Sequence, residues 1–436
     1  MPPDSTGLTN DFVESVKTTV TVSPAKPLPI VLGPLSMRDA YCGEKTDRNL
    51  VQTISSISKK SQMGNLFKLE VDDIKPCKDE TLSGFVGSCD EMGSGFLDGD
   101  VDNSKFGVRG SLHFGSLTLK PDNIARIVPG RITVVRFLPC SDLRMVVVGN
   151  KFGNISFWNL DSKKEEDGDA AAAGIFLYRP HSGPISGILA QQYSLSKIFT
   201  SCYDGFIRLM DVEKNVFDLV YSTDDAIFSL FQRPDNVQSL YFGEGYGGFK
   251  IWDVRAGKSS SERVLHEHRI NSIDFNSQNP NIMATSSTDG SACLWDLRSM
   301  AADKPKALKI VNHKRAVHSA YFSPSGSSLA TTSFDNTVGA VSGANFEDTT
   351  MIFHDNRTGR WISSFRAIWG WDDSNIIIGN MKRGVDVISP ALRSTIMTLQ
   401  SPHMSAIPCR FHAHPYEVGM LAGATSGGQV YVWTRS

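Results

Sequence analysis

IMATSSTDGSACLWDLR, residues Ile282 to Arg298, decides how the rest of the chain is read. An apolar run, Ile282 to Ala284, passes into a Thr/Ser run. A turn follows at Asp289-Gly290, and a second apolar run ends on Trp295-Asp296. Two short runs around Asp-Gly predict a β-hairpin, because Gly accepts the positive φ that tight hairpin turns require. The Trp stands six residues beyond the turn Asp.

That slot recurs. Counting six residues past each predicted turn places it at Trp158, Met210, Trp252, Trp295, Val341, Ile388 and Trp433, with spacings of 52, 42, 43, 46, 47 and 45. A period of ~40–45 residues with a closing Trp-Asp marks the WD40 repeat, one four-stranded propeller blade. Four slots keep Trp, so the count of seven rests on spacing. The long first interval contains the charged, Ala/Gly-rich insert Lys163 to Gly174. In such repeats the turn Asp is held by hydrogen bonds to a His and a Ser/Thr, which the resemblance assigns to Asp289, His268 and Ser287.

The predicted fold is all-β: a seven-bladed WD40 β-propeller over 111–436 behind a flexible N-terminal extension, 1–110. Outer strands follow the slots at Ile175, Val216, Arg263, Ala307 and Ile396, whereas Asn345 to Asp355 reads as a long connection between blades five and six. The chain stops three residues after Trp433, so the seventh blade lacks an outer strand. Residues 123–128 (NIARIV) have the form of that strand, and the ring is expected to close through them. Closure hides sheet edges that would otherwise aggregate.

The extension reads differently. Val71 to Asp102 carries nine acids against Lys75 and Lys78. Such a stretch buries too little to offset its ordering entropy and is expected to be disordered. Its charge of −7, within a total of −2, leaves the remainder at +5. Leu50, Val51, Ile54 and Ile57 fall at helical spacing, but a helix that short is marginal alone, and a transient helix in a loose tail is the expectation. The seven cysteines are scattered with no C-x-x-C pair, which suits a reducing compartment and offers no zinc site. No apolar run approaches a membrane span, and no signal pattern opens the chain. An intracellular protein without membrane association is expected.

Three stretches narrow the family: Ile124 to Asp161, Ser201 to Val212 and Thr358 to Trp371. Together with two WDxR boxes they resemble the WD40 group that contains DNA damage-binding protein 2 and WD repeat-containing protein 76, and more closely the second. The resemblance implies a non-enzymatic nuclear DNA-binding protein of the DNA-damage response. It also implies a substrate-receptor role through the damage-binding adaptor of cullin-4 ubiquitin ligases. The alternative is a WD40 scaffold that binds peptides or histone tails, or other chromatin proteins, without touching DNA.

Candidate residues follow. In a propeller the d–a and b–c loops share one rim. There the sequence places Arg131, Lys151, Arg269, Lys314, Arg315, Arg357, Arg360, Lys382 and Arg383, interleaved with Phe152, Tyr203, Tyr246 and Trp361. Lys and Arg neutralise phosphates, and aromatic planes stack on exposed bases. A solvated polar rim is the bland reading, and Asp224, Asp225, Glu244, Glu267 and Asp355 dilute the positive field. In the damage-binding relative a hairpin leading into blade six probes the lesion. The matching place here is Arg357 to Trp361, with Trp361 as a wedge; its bland reading is packing in the outer sheet. The WDxR boxes, Trp252-Asp253-Val254-Arg255 and Trp295-Asp296-Leu297-Arg298, would dock the ligase adaptor on the opposite face. Trp-Asp is structural in any blade, and Tyr246 stands where the first box should have its turn Asp.

Other motifs fail on context. Gly243 to Gly248 fits G-x-G-x-x-G but runs into a strand, not a helix. Asp98 to Asp102 begins like a calcium loop but lacks the Gly and Glu such loops need. His266 and His268 are too close for two metal ligands on one helix face. No nucleophile motif, P-loop or carboxylate pair is present, so neither enzymatic activity nor a cofactor is expected.

Overall fold

A computed structural model of the 436-residue protein describes residues 31–43, 46–72 (side chains to 60), 112–162, 174–191, 194–300 and 305–436. The acidic stretch beyond Asp72, the calcium-like loop and most of the Lys163–Gly174 insert lie outside these residues.

Seven antiparallel sheets form a ring, each contributing strands a to d from the centre outward. Blade one begins at Ile132–Phe137, blade two at Ile185–Gln191, blade three at Ser229–Arg233 and blade four at Ile270–Phe275. Blades five to seven begin at Val317–Phe322, Ile368–Trp369 and Pro408–Ala413. All seven slot residues fall on third strands, and Met210, Val341 and Ile388 are as buried as Trp433. Burial between neighbouring sheets selects apolar bulk at this position, and indole is one way to supply it.

The last sheet joins the two ends of the propeller sequence. Leu117–Arg126 pairs antiparallel with Gln429–Arg435, with Leu119 opposite Trp433 and Ile124 opposite Tyr431. The register shifts between Leu119 and Ile124, leaving Lys120, Pro121, Asp122 and Asn123 as a bulge. This strand starts earlier than the 123–128 read from sequence, because a bulge accommodates Pro121 without ending the pairing.

Two expectations need correction. Asn345 to Asp355 is not merely a connection: Asp348–Phe353 is the outer strand of blade five, paired with Thr337–Ser342. Its alternation of exposed and buried residues looks like loop because one face meets solvent. Nor is all of 1–110 a loose tail. Leu35–Ser36 pairs with Val216–Ser222, the outer strand of blade two. A helix, Arg48–Asp72, lays Leu50, Ile54 and Ser58 against that blade, all fully buried. Ser58 reaches Ser196 Oγ at 3.2 Å, and the Tyr178 hydroxyl donates to Asp47 at 2.7 Å. The spacing i, i+4, i+8 puts these residues on one stripe. Tertiary packing supplies what the isolated helix lacks.

Arg208 shows why blade two needs this cover. It lies on a third strand, 1% exposed. Its guanidinium donates to the carbonyl oxygens of Gly33, at 2.8 Å, and Val31. A buried cation requires acceptors, and here the N-terminal segment provides them.

Candidate functional site

The turn of blade four sets the local geometry. His266 Nδ1 lies 2.9 Å from Asp289 Oδ2, and its Nε2 2.7 Å from Thr285 Oγ1. The Trp295 indole donates to that same hydroxyl at 2.8 Å. The network therefore runs through His266 and Thr285, one strand step away from His268 and Ser287. Ser287 sits nearer the rim, where its hydroxyl donates to the His268 carbonyl, while Thr285 lies deep enough to meet the indole. Blade two repeats the arrangement with His181, Asp204 and Thr200, and blade five with His313, Asp335 and Thr331. Burial pushes the carboxyls of Asp204 and Asp289 upward, but hydrogen bonds from His181 and His266 outweigh it and hold both below the usual range.

A WD domain, G-beta repeat model matches residues 259–296 and 306–339, which are within blades three to five and include this network. The chain carries WD40 repeats within its seven-bladed propeller. The propeller is similar to WD repeat-containing protein 76 of Xenopus laevis, 27% identical over 330 residues, covering 73% of this chain and 55% of the relative. It is also similar to DNA damage-binding protein CMR1 of Phaeosphaeria nodorum, 26% identical over 346 residues, covering 71% and 66%. The protein of that name from Meyerozyma guilliermondii is 26% identical over 360 residues, covering 71% and 62%. The matches thus span between about half and two thirds of the relatives' length. They support the resemblance read from the sequence.

On the rim of this WD40 propeller, the basic residues divide by role. Arg131, in the turn entering blade one, donates to the Arg360 carbonyl at 2.9 Å, and its own carbonyl accepts from the Lys151 backbone at 2.9 Å. Arg131, Lys151, Arg360 and Trp361 therefore share one sector. Trp361 is 80% exposed, so it does not pack in the outer sheet. Residues 357–361 are not a paired hairpin either; the segment folds as a turn closed by Ile362 N–H on the Gly359 carbonyl at 3.1 Å. Lys314, Arg315, Arg357, Lys382 and Arg383 are exposed in the sector of blades five and six. Arg357 is drawn to Asp355 at 3.3 Å. Arg269 is half-buried over the Phe228 ring, 5.0 Å from its centroid. Three more cations lie over rim aromatics: Lys151 on Phe152, Arg315 on Phe334 and Arg360 on Trp361. Such pairs hold cations beside flat apolar faces.

The field is less diluted than the acid count suggests. Glu244 is buried and tied to Lys250 at 3.0 Å and to the Tyr221 hydroxyl at 2.7 Å. The G-x-G-x-x-G stretch is the b–c turn of blade three, with Tyr246 at φ 54° and almost fully exposed.

Both WDxR boxes sit where third strands end, on the opposite rim. They are not equivalent. Asp296 accepts from the Arg298 backbone at 2.9 Å and its guanidinium at 2.7 Å, which fixes an exposed arginine. In the first box Asp253 takes the Ala256 N–H at 2.8 Å, and Arg255 projects into solvent. Trp252 Nε1 finds no acceptor among the described residues; with Tyr246 at the turn, blade three has no network for it to join.

Sequence reading overlooked the channel down the propeller axis. Arg136 and Arg366 line it, and Arg410 stands beside Arg366. The available signal was an arginine within the innermost strand of blade one and blade seven, and just ahead of that of blade six. Such strands should be apolar on the faces packed between blades and small or polar only toward the axis.

Proposed function

We propose that this WD40 propeller is a nuclear, non-enzymatic DNA-binding protein of the DNA-damage response, with the b–c and d–a rim as its DNA face. The observation that carries the reading is Trp361, 80% exposed and flanked by Arg360, on a turn that Arg131 holds. An indole displayed on an anchored turn suits insertion at a base step. The surrounding Lys and Arg suit phosphates. Relatives carrying the name DNA damage-binding protein support the same reading. The ten residues of this face are Arg131, Lys151, Arg269, Lys314, Arg315, Arg357, Arg360, Trp361, Lys382 and Arg383.

The test is binding of the full chain to duplexes with and without a lesion, across salt, beside Arg360→Ala/Trp361→Ala. Steeply salt-dependent binding, lost in the double variant, supports the reading; a lesion preference makes the protein a damage reader. No binding at low salt would leave the scaffold for peptides, histone tails or other chromatin proteins.

A second role rests on the opposite rim. Arg298, fixed by Asp296, and Arg255 on the neighbouring blade present two guanidinium groups for docking the damage-binding adaptor of a cullin-4 ubiquitin ligase. Arg255→Ala/Arg298→Ala should abolish adaptor capture and leave DNA binding intact. Unchanged capture would remove the ligase from this account.

A further inference from the structure

The channel along the axis encloses about 390 Å³. Its wall combines Arg136 of blade one, Arg366 at the entry to blade six and Asn271 of blade four. Arg366 Nη2 donates to the Asn271 carbonyl at 3.0 Å. Blades four and six are not neighbours, so this side chain runs through the centre of the ring. Arg410, from blade seven, reaches the carbonyl oxygens of Thr133, at 3.0 Å, and Ser364.

These three guanidinium groups meet only neutral acceptors. Among the described residues, no ion pair joins Arg136, Arg366 or Arg410 to a carboxylate. Asp274 is the one acid in the wall; it accepts the Phe322 N–H at 2.8 Å, and burial pushes it up to about 7. One carboxyl, already accepting from a backbone N–H, does not balance three guanidinium groups. Arg366 Nε, Arg269 Nε and His318 Nε2 are buried without a hydrogen-bond partner. Burial and the neighbouring Arg366, Arg410 and Arg269 push His318 down to about 3, so this histidine registers the same positive potential. Water would satisfy the free N–H groups but would not neutralise the charge. Clustered buried cations are costly unless an anion accompanies them.

We propose that the central channel is a binding site for a phosphate-type oxyanion, held between Arg136 and Arg366 and reinforced by Arg410. Guanidinium groups arriving from three blades suit a tetrahedral, doubly charged acceptor, whereas a carboxylate offers one plane and one charge. A channel of about 390 Å³ is too small to hold a duplex. The phosphate is therefore either free or carried on a single-stranded 5′ end. The same positive lining disfavours Lys- or Arg-rich tails entering the axis. This site is separate from the rim and does not depend on the DNA reading.

The test uses the full chain in chloride buffer at fixed ionic strength. Inorganic phosphate should raise the melting midpoint by about 2–4 °C at tenfold excess over its dissociation constant, and the phosphorus-31 resonance should broaden. Arg366→Gln and Arg136→Gln should each remove the response. Both should fold, melting at or above wild type in chloride, because a repulsive charge is gone. Arg360→Ala/Trp361→Ala should keep the response. A rise of equal size with acetate, a response undiminished in both channel variants, or none in wild type would overturn the proposal. Displacement of phosphate by a 5′-phosphorylated oligonucleotide, but not by its 5′-hydroxyl twin, supports the site with a nucleic-acid end as source. Displacement by neither supports it with free phosphate.

Discussion

The Arg131 side chain and the Arg360 carbonyl are 229 residues apart in sequence and 2.9 Å apart in space. One sits in the turn that follows ring closure, the other on the segment entering blade six. The bond ties the segment that carries Trp361 to the turn entering blade one. Arg131→Ala should therefore weaken DNA binding by more than one lost phosphate contact. Hydrogen exchange over 357–363 should rise at the same time. An unchanged exchange pattern would show that the turn holds itself.

Lys151 tests the electrostatic part alone. Its ammonium lies 4.5 Å from the Phe152 ring centroid, at the tip of a b–c turn. Replacing it with Ala should weaken binding uniformly across duplex sequences and reduce the salt slope by about 1. A slope equal to wild type would take Lys151 off the phosphate track.

Acid should destabilise the propeller through its buried histidines, partly offset by Asp274, whose carboxyl burial pushes up to about 7, so that it takes its proton in the fold first and adds stability as pH falls. Burial holds His318 down to about 3 and His414 to about 4 in the fold, against about 6.5 when unfolded. The unfolded chain then binds more protons between these limits, so stability falls as pH drops below about 6.5. His318 alone should contribute a loss of about 2–3 kcal/mol by pH 4.5. Denaturation midpoints measured from pH 7 to 4.5 should show the decline, and His318→Gln should flatten part of it. Below about pH 4 a second decline should set in. Asp204 and Asp289, held low by their histidines despite burial, then begin to lose stabilisation as they protonate.

The N-terminal helix should be a working part of blade two. Ile54→Ala removes most of a fully buried side chain and should cost about 2–4 kcal/mol. Leu50→Asp should release the helix from blade two. Thermal melts with limited proteolysis of 31–60 would read both. A melt unchanged in either variant would mean the packing is incidental.

Removing Asn123 to Val128 should lower the melting temperature of the entire ring, not of one blade, because the strand they end supplies the edge of the seventh sheet. Two separate transitions in calorimetry, one at the wild-type temperature, would contradict this.

How much was legible follows from what leaves a local mark. A hairpin turn with its closing Trp recurs by chemistry, and counting six from each turn found all seven third strands, including those carrying Met210, Val341 and Ile388. The rim loops followed from that register. Contacts between distant segments left weaker marks. The helical spacing of Leu50, Val51, Ile54 and Ile57 was visible, but neither Ser58's place on the buried stripe nor the groove that receives it was. His268 and Ser287 look as suitable for the network as His266 and Thr285 until the depth of the Trp295 indole is known. The channel arginines look like ordinary strand residues because only ring closure brings blades four and six face to face.

The seventh sheet takes its outer strand from the beginning of the propeller sequence and its other three from the end. During synthesis Leu117–Arg126 leaves the ribosome first of all these strands, and its partner Gln429–Arg435 leaves last. At typical elongation speeds it waits roughly 15–60 s with an open edge. No earlier partial ring can seal, so the edge of Leu117–Arg126 stays open to pairing with another chain until the last strand is made.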